Sequence, residues 1–301
     1  MPTSRDLRLR IRSVKNLAQV TKALETVSAS RVRRAIQANQ ATEPYAEKAW
    51  KVLLHLARQP GRSSLHPLLT ERPEVHRALV VMVSSDRGLA GAYNMNVLRH
   101  ALRISQQVRC PVDYAVIGRK GRELLLRRGQ HVMADFSDLP SPPSFQDVAP
   151  IGQLVMSEFE EGRVDQVFLA YTDFKSMLKQ EPTSLELLPI SVNWQEDEKK
   201  ASLNSTHSTR AVFLYEPDQD EILSAIIPRF IALQIFQAIL TSQASEHAAR
   251  MIAMHNATDS ANELVNSLLI DFNKQRQNMI TNEMLDIAGG ANAQSGGKRG
   301  G

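Results

Sequence analysis

Aromatic residues make up only 5% of this 301-residue chain, and cysteine occurs once, at Cys110. A lone cysteine excludes an internal disulfide, a two-cysteine redox switch and any cysteine-built metal site. The chain therefore suits a reducing compartment, or one whose redox state is irrelevant to it. No stretch offers about 18 consecutive apolar residues, so no membrane-spanning segment is expected. The opening Met-Pro-Thr-Ser-Arg-Asp has no apolar h-region, which argues against secretion. Arg5, Arg8, Arg10 and Arg12 beside Ser4 and Ser13 have the composition of a mitochondrial leader. They run without a break into a longer helical pattern, which favours mature structure.

Catalytic signatures are equally scarce. Neither GxGxxG nor GxxxxGK[ST] occurs, and no nucleophile turn supports Ser–His chemistry. Ser245, His247 and His255 have no Asp or Cys converging on them at ligand spacing, and the two histidines, eight positions apart, are too far for one metal on one helix. They read as ordinary surface or seam residues. No catalytic, cofactor or metal site is expected.

What the chain does have is helical periodicity at both ends. From about Thr3 to about Gln59, Leu7, Ile11, Val14, Leu17, Val20, Leu24 and Val27 recur every three or four residues, the spacing of a coiled-coil stripe. Thr3 with Asp6 makes a capping-type start, Pro44 should kink the helix locally, and Pro60-Gly61 should end it. From Asp218 with Glu221, a second capping signal, Ile226, Phe230, Leu233, Leu240, Ala244, Ala248, Met251, Ala261, Leu264, Leu268 and Phe272 carry a second stripe. Pro228 should bend its first turns, and Gly289-Gly290 should stop it before a Gly-rich tail. Met251, Met254, Met279 and Met284 read as seam filler.

Between the stripes, Ala78–Ser84, Tyr114–Ile117, Gln166–Tyr171 and Ala211–Tyr215 read as strands, and Ala92–Gln107, Lys120–Arg128 and Gln146–Glu161 as helices. Such alternation predicts an α/β layer with mostly parallel pairing. Pro140, Pro142 and Pro143 mark a loop, and the polar stretch Asn193–Arg210 a connection. Gly118-Arg119-Lys120-Gly121 reads as a basic turn after a strand, and the turn Ser84–Asn94 as a tight strand-to-helix link.

At 1.5 Å per residue the first helix spans roughly 80 Å and the last roughly 105 Å. Each stripe needs a partner along its length, and the other helix is the nearest. The pair should lie antiparallel with a left-handed twist. The longer helix should outrun the shorter by roughly 20 Å, leaving about Phe272–Ile287 bare. Its Ile280, Met284, Leu285 and Ile287 form an apolar tip that another protein should enclose. The expected organisation is 1–60 N-terminal coiled-coil helix, 75–216 α/β domain, 217–290 C-terminal coiled-coil helix and 291–301 tail. The fold class is a long antiparallel coiled coil of the terminal helices plus a Rossmann-like α/β domain.

Charge is uneven. The net value is +4, yet the first forty residues hold nine Arg and Lys against Asp6 and Glu25. An acidic partner is expected. Nucleic acid is disfavoured because the apolar stripe runs through the basic segment, committing that helix to another partner.

Three strings, in order, resemble the γ subunits of F-type ATP synthases: RIRSVKNLAQVTKALETVSASRVRRA at Arg10–Ala35, SDRGLAGAYN at Ser85–Asn94, and Ser245–Ala293 from SEHAARMIAMHNATDS onward. The resemblance implies a central-stalk rotor, non-catalytic itself, inside a ring of three α and three β subunits. It implies contacts with an ε subunit and a membrane c-ring, and a place on the cytoplasmic face of a bacterial membrane, peripheral and not spanning. It implies that rotation driven by proton or sodium flow is passed to the β subunits. By position it assigns coupling to β to Lys22, Leu24, Arg31, Arg33, Arg34, Arg87, Arg250, Arg276, Gln277, Thr281 and Glu283. Ala90 stands where family members often carry Cys, and a regulatory cysteine insert is missing, so thiol control is not expected. The rival reading is a coiled-coil scaffold whose α/β domain binds a nucleotide at the Gly88–Gly91 turn.

Overall fold

A computed structural model describes residues 4–57, 67–70, 72–190 and 219–296. Thr3, Pro60-Gly61, Asn193–Arg210, the strand expected at Ala211–Tyr215 and Asp218 lie outside the described residues. The elements are α1 (Ser4–Ala57), a short 3-10 turn (Pro67–Leu69), β1 (Ala78–Val83), α2 (Tyr93–Gln107), β2 (Val112–Ile117), α3 (Arg119–Leu126), β3 (Val132–Phe136), α4 (Phe145–Glu160), β4 (Gln166–Phe174), β5 (Gln180–Leu188) and α5 (Gln219–Gly296). The chain divides into two compact units, Met1–Val27 with Met251–Gly301, and Ser28–Arg250.

In the first unit α1 and α5 lie antiparallel. Arg8 stacks its guanidinium over Phe272, Thr21 Oγ1 meets Thr258 Oγ1 at 2.7 Å, and Glu25 meets His255 at 3.3 Å. Partner numbers on α5 fall as those on α1 rise, the signature of opposite directions. On α1 the seam is Leu7, Ile11, Val14, Ala18, Thr21 and Leu24; on α5 it is Met254, Thr258, Ala261, Val265, Leu268 and Phe272. Both repeat in steps of three and four, a heptad pattern. The expected stripe is thus wrong in part. Leu17, Val20, Val27 and Leu264 are about half exposed, while the small residues Ala18, Thr21 and Thr258 hold the seam. Small side chains let the backbones approach, so the larger aliphatics one position away turn outward.

The described start of α1, Ser4, falls level with about Arg276. Among the described residues no part of α1 runs beside α5 from Gln277 to Gly296, roughly 30 Å of helix. The bare segment therefore begins after Phe272, which Arg8 still covers. The helix also passes through Gly289-Gly290, contrary to the expected stop. Each glycine costs only about 1 kcal/mol against Ala in a helix, and the neighbouring Ala288, Ala291 and Ala293 favour continuation.

The second unit is a three-layer sandwich. The sheet order is β3-β2-β1-β4-β5, with β1 to β4 parallel and β5 antiparallel at the edge. Every residue of β1 is buried, as a central strand covered on both faces requires. One face packs Leu79, Val81 and Val83 against Val148, Ile151 and Val155 of α4 and Ile227, Ile231 and Ile235 of α5. The other packs Val80 and Met82 against Val97, Leu98 and Ala101 of α2 and Leu125 of α3. Each fully buried aliphatic side chain contributes about 1.5–3 kcal/mol. Strands β3 and β5 were not legible: β3 is only half-buried, and β5 reads QEPTSLELL, with polar residues where an edge strand faces water.

This burial bears on the membrane question. An 18-residue window of α5 has mean hydropathy 1.5, apolar enough by length and composition to cross a bilayer, and 56% of that window is buried in the chain's own core. Packing against the sheet accounts for its hydropathy. Entry to β1 is pinned by Asp165, which accepts from the amides of His76 and Arg77 and from the Arg72 guanidinium at 2.7–3.1 Å. Burial alone would raise its pKa, but these donors prevail and hold it below the ordinary carboxylate value.

Candidate subunit-interface site

The segments that follow β1 and β3 border a cavity of about 420 Å³ together with α1 and α5, lined by Arg31, Arg34, Asp86, Arg87, Glu246 and His247 among others. Ligands enter crevices at the carboxyl ends of parallel strands in many α/β proteins. Here the backbone donors that would hold a phosphate are in use. Asp86 in the β1–α2 turn accepts from the amides of Arg119 at 3.0 Å and Asp138 at 3.2 Å. Ser85 N–H donates to Asn94 Oδ1 at 3.1 Å. The carboxylate of Asp86 thus occupies the start of α3, where an anion would otherwise meet the free amides.

The acids around the cavity have internal partners. Asp138 pairs with Arg119 at 2.6 Å, and Glu246 pairs with Arg250 at 2.7 Å. Among the described residues, Arg31, Arg34 and Arg87 form no ion pair, and Arg34 donates only to Ser30 Oγ. Three guanidinium groups from α1 and the β1–α2 turn thus face one opening. Arg gives bidentate, charge-assisted bonds to carboxylates, so a carboxylate-bearing partner fits.

Arg250 is placed differently from the others. It is 8% exposed, and its guanidinium donates to the carbonyls of Arg87 and Gly88 at 3.2 Å as well as to Glu246. It holds the turn that presents Arg87. Burial raises the Glu246 pKa, and the nearby Arg250 charge offsets this only in part.

His247 is 3% exposed, not the surface or seam residue expected. Arg250 can only donate, so His247 Nδ1 accepts from it at 3.2 Å and Nε2–H faces Ser141 Oγ at 3.3 Å. Burial, then the charges of Arg250 and Arg31, push its pKa down to about 4. The unfolded chain therefore binds a proton between about pH 6.5 and 4 that the folded unit refuses, and stability falls as pH drops through that window. The full shift corresponds to about 3 kcal/mol. Glu246, with its raised pKa, works in the opposite direction. His247→Gln should lose less stability than the parent between pH 6.5 and 4, measured by urea melts at several pH values. Identical slopes would refute the assignment. Ser245, also expected at a surface or seam, is fully buried, bonded to a β4 carbonyl.

The remaining assigned positions lie elsewhere. Arg33 is exposed on α1. Lys22 is exposed and bridges to Glu25 at 3.1 Å, and Leu24 is half-buried. Arg276 is exposed level with the start of α1, and Gln277, Thr281 and Glu283 are exposed on the end of α5 beyond it, where Thr281 Oγ1 donates to the Gln277 carbonyl. Ile280, Met284, Leu285 and Ile287 are 44–70% exposed, and Met279 and Met284 are bare rather than seam filler. Asp86, Asp138 and Glu246 escaped the sequence reading, because only the fold brings them to one opening. Among the described residues no cluster of His, Cys, Asp and Glu suits a metal ion.

Comparison with known proteins bears on this arrangement. The ATP synthase family model matches residues 3–294. The ATP synthase gamma chain of Roseiflexus castenholzii is 42% identical over 296 residues, covering 97% of this chain and 99% of that one. The gamma chain of Dehalococcoides mccartyi is 39% identical over 294 residues, with the same coverage. A chain from the Euglena gracilis mitochondrial ATP synthase OSCP/F1/c-ring structure aligns with TM-score 0.67 at 19% identity, covering 99% of this chain and 96% of that one. One from the Tetrahymena thermophila mitochondrial ATP synthase central stalk and c-ring gives 0.60 at 23%, covering 79% and 99%. At those identities the structural likeness speaks to fold alone. The near full-length identity to curated relatives goes further: the chain belongs to the family of ATP synthase gamma chains.

Proposed function

We infer that this chain is the central-stalk rotor of an ATP synthase, carrying rotation driven by ion flow to catalytic subunits that hold the active sites. The observation behind the inference is the lone end of α5 on a chain that aligns with gamma chains over nearly its whole length. Apolar side chains exposed along an unpaired helix call for an enclosing surface. A ring of three α and three β subunits supplies one for the terminal helices, while the α/β domain would contact an ε subunit and the c-ring. The complex is peripheral at this chain, on the cytoplasmic face of a bacterial membrane.

In this reading the chain makes and breaks no bonds. Its work is differential contact: each rotor angle favours one conformation of a given β subunit over the others. Arg31, Arg34 and Arg87 would receive an acidic segment of β, while Arg276, Gln277, Thr281 and Glu283 would exchange hydrogen bonds with β around the lone helix. Co-expression with α and β subunits should yield a complex in which this chain is present once per ring and which hydrolyses ATP. Full ion-coupled activity from a complex lacking the chain would defeat the reading.

A further inference from the structure

Strand β4 outruns its neighbour. Pairing with β1 ends at Met82 opposite Ala170, so the β1-facing backbone of Thr172 and Phe174 has no strand beside it. Hydroxyl groups of α5 take the place of that strand. Ser242 Oγ accepts from Thr172 N–H at 3.0 Å, Ser245 Oγ donates to Thr172 C=O at 3.2 Å, and Thr241 Oγ1 accepts from Phe174 N–H at 3.2 Å. Ser242 and Ser245 are essentially inaccessible to water, and Thr241 is 9% exposed. Arg250 adds bonds to the turn after β1. Below this row α5 touches the sheet through Ile227, Ile231, Ile235 and Ile239, contacts without directional preference.

Apolar packing resists separation of a helix from a sheet but opposes sliding or turning only weakly. Hydrogen bonds to fixed backbone groups oppose both, because they are lost when the helix turns by a fraction of a residue. From this row α5 runs without interruption to Gly296.

We propose that Thr241, Ser242 and Ser245 are positioning residues that form the torsional joint of the rotor, fixing the rotational register of α5 on the sheet so that torque passes without slip. The proposal rests on the rotor reading above. No functional role has been attached to these hydroxyls in the site already described, and their burial against bare backbone is what distinguishes them from exposed helix serines.

The test uses Thr241→Val, Ser242→Ala and Ser245→Ala together, in the full chain and in the assembled complex. In the chain alone, hydrogen exchange at the Thr172 and Phe174 amides should accelerate at least tenfold. Unchanged protection would overturn the joint whatever the complex does. In the complex, a bead attached through Cys110 should show at least double the angular variance of the parent, and ions moved per ATP should fall. Ser105→Ala, a hydroxyl of the opposite layer facing Tyr114, should leave both at parental values. If the triple variant does not fold, Ser245→Ala, which leaves no donor orphaned, gives the same readouts with smaller changes. Parental variance and parental ion-to-ATP ratio in a folded variant would sink the proposal. Failure of the parent chain to assemble and rotate would instead remove the rotor reading, and the torque role with it, leaving the exchange result to report on the hydroxyl row itself.

Discussion

A disulfide from Leu89→Cys to a cysteine on the β segment that enters the arginine-lined cavity should cut multi-turnover ATP hydrolysis more than tenfold, with recovery on reduction. Leu89 is 65% exposed at the crown of the β1–α2 turn. The turn behind it is rigid: Arg250 grips the Arg87 and Gly88 carbonyls, and Asn94 bonds Ser85. A lock placed there cannot be relieved by local motion, so rotation must stop. The same lock at Ile287 should inhibit far less. That residue sits on a single unpartnered helix, whose turns beyond Arg276 can unwind at the cost of a few backbone hydrogen bonds. Cys110→Ser removes the competing thiol from both variants. ATP hydrolysis in the oxidised complex at the reduced rate would contradict the site, and equal inhibition at both positions would contradict the contrast.

Gly118→Ala should cost the α/β unit about 3 kcal/mol or more, read as a shift in the urea midpoint. Gly118 has φ +100, where side chains are strained, and an added Cβ would lie 2.5 Å from the Ser84 carbonyl oxygen. Backbone, unlike the end of a flexible side chain, has nowhere to move. Three residues on, a Cβ at Gly121 would lie 2.4 Å from Ser84 Oγ, the atom that accepts from the Gly121 amide and shares its one proton between the Ile117 and Gly118 carbonyls. The Gly-Arg-Lys-Gly segment is thus a close-packed junction of β2, α3 and the end of β1. A Gly118→Ala chain with parental stability would show that the junction has slack.

How far these conclusions were legible varies by residue. The long helices, the parallel strands β1, β2 and β4 and the apolar tip announce themselves through periodicity and runs of Val, Ile and Leu. The seam does not. Leu17 and Val20 look like seam residues because they are large and apolar, yet Ala18 and Thr21 occupy it. Period alone cannot choose between two stripes one residue apart; the choice is made by which side chains let two backbones approach. The Gly289-Gly290 stop failed for a related reason, since a glycine ends a helix only when the chain beyond it leaves the helical conformation.

The cavity was legible only as its basic half. Arg31, Arg34 and Arg87 stand out as charges, but Asp86, Asp138 and Glu246 acquire meaning through distances that no spacing rule contains. His247 is similar: in sequence it is a helix histidine, and in the fold it is a base held neutral first by its burial and then by an arginine on the next turn.

The amino-acid order by itself determined the two terminal helices, the parallel strands between them, the excess of positive charge at the start and the bare apolar end, because each follows from local periodicity and composition. Only the tertiary structure decided which faces of those helices meet, which carboxylate caps the start of α3, and which hydroxyls cap the overrunning strand. Those choices depend on groups far apart in the chain being brought within about 3 Å, the range over which hydrogen bonds act.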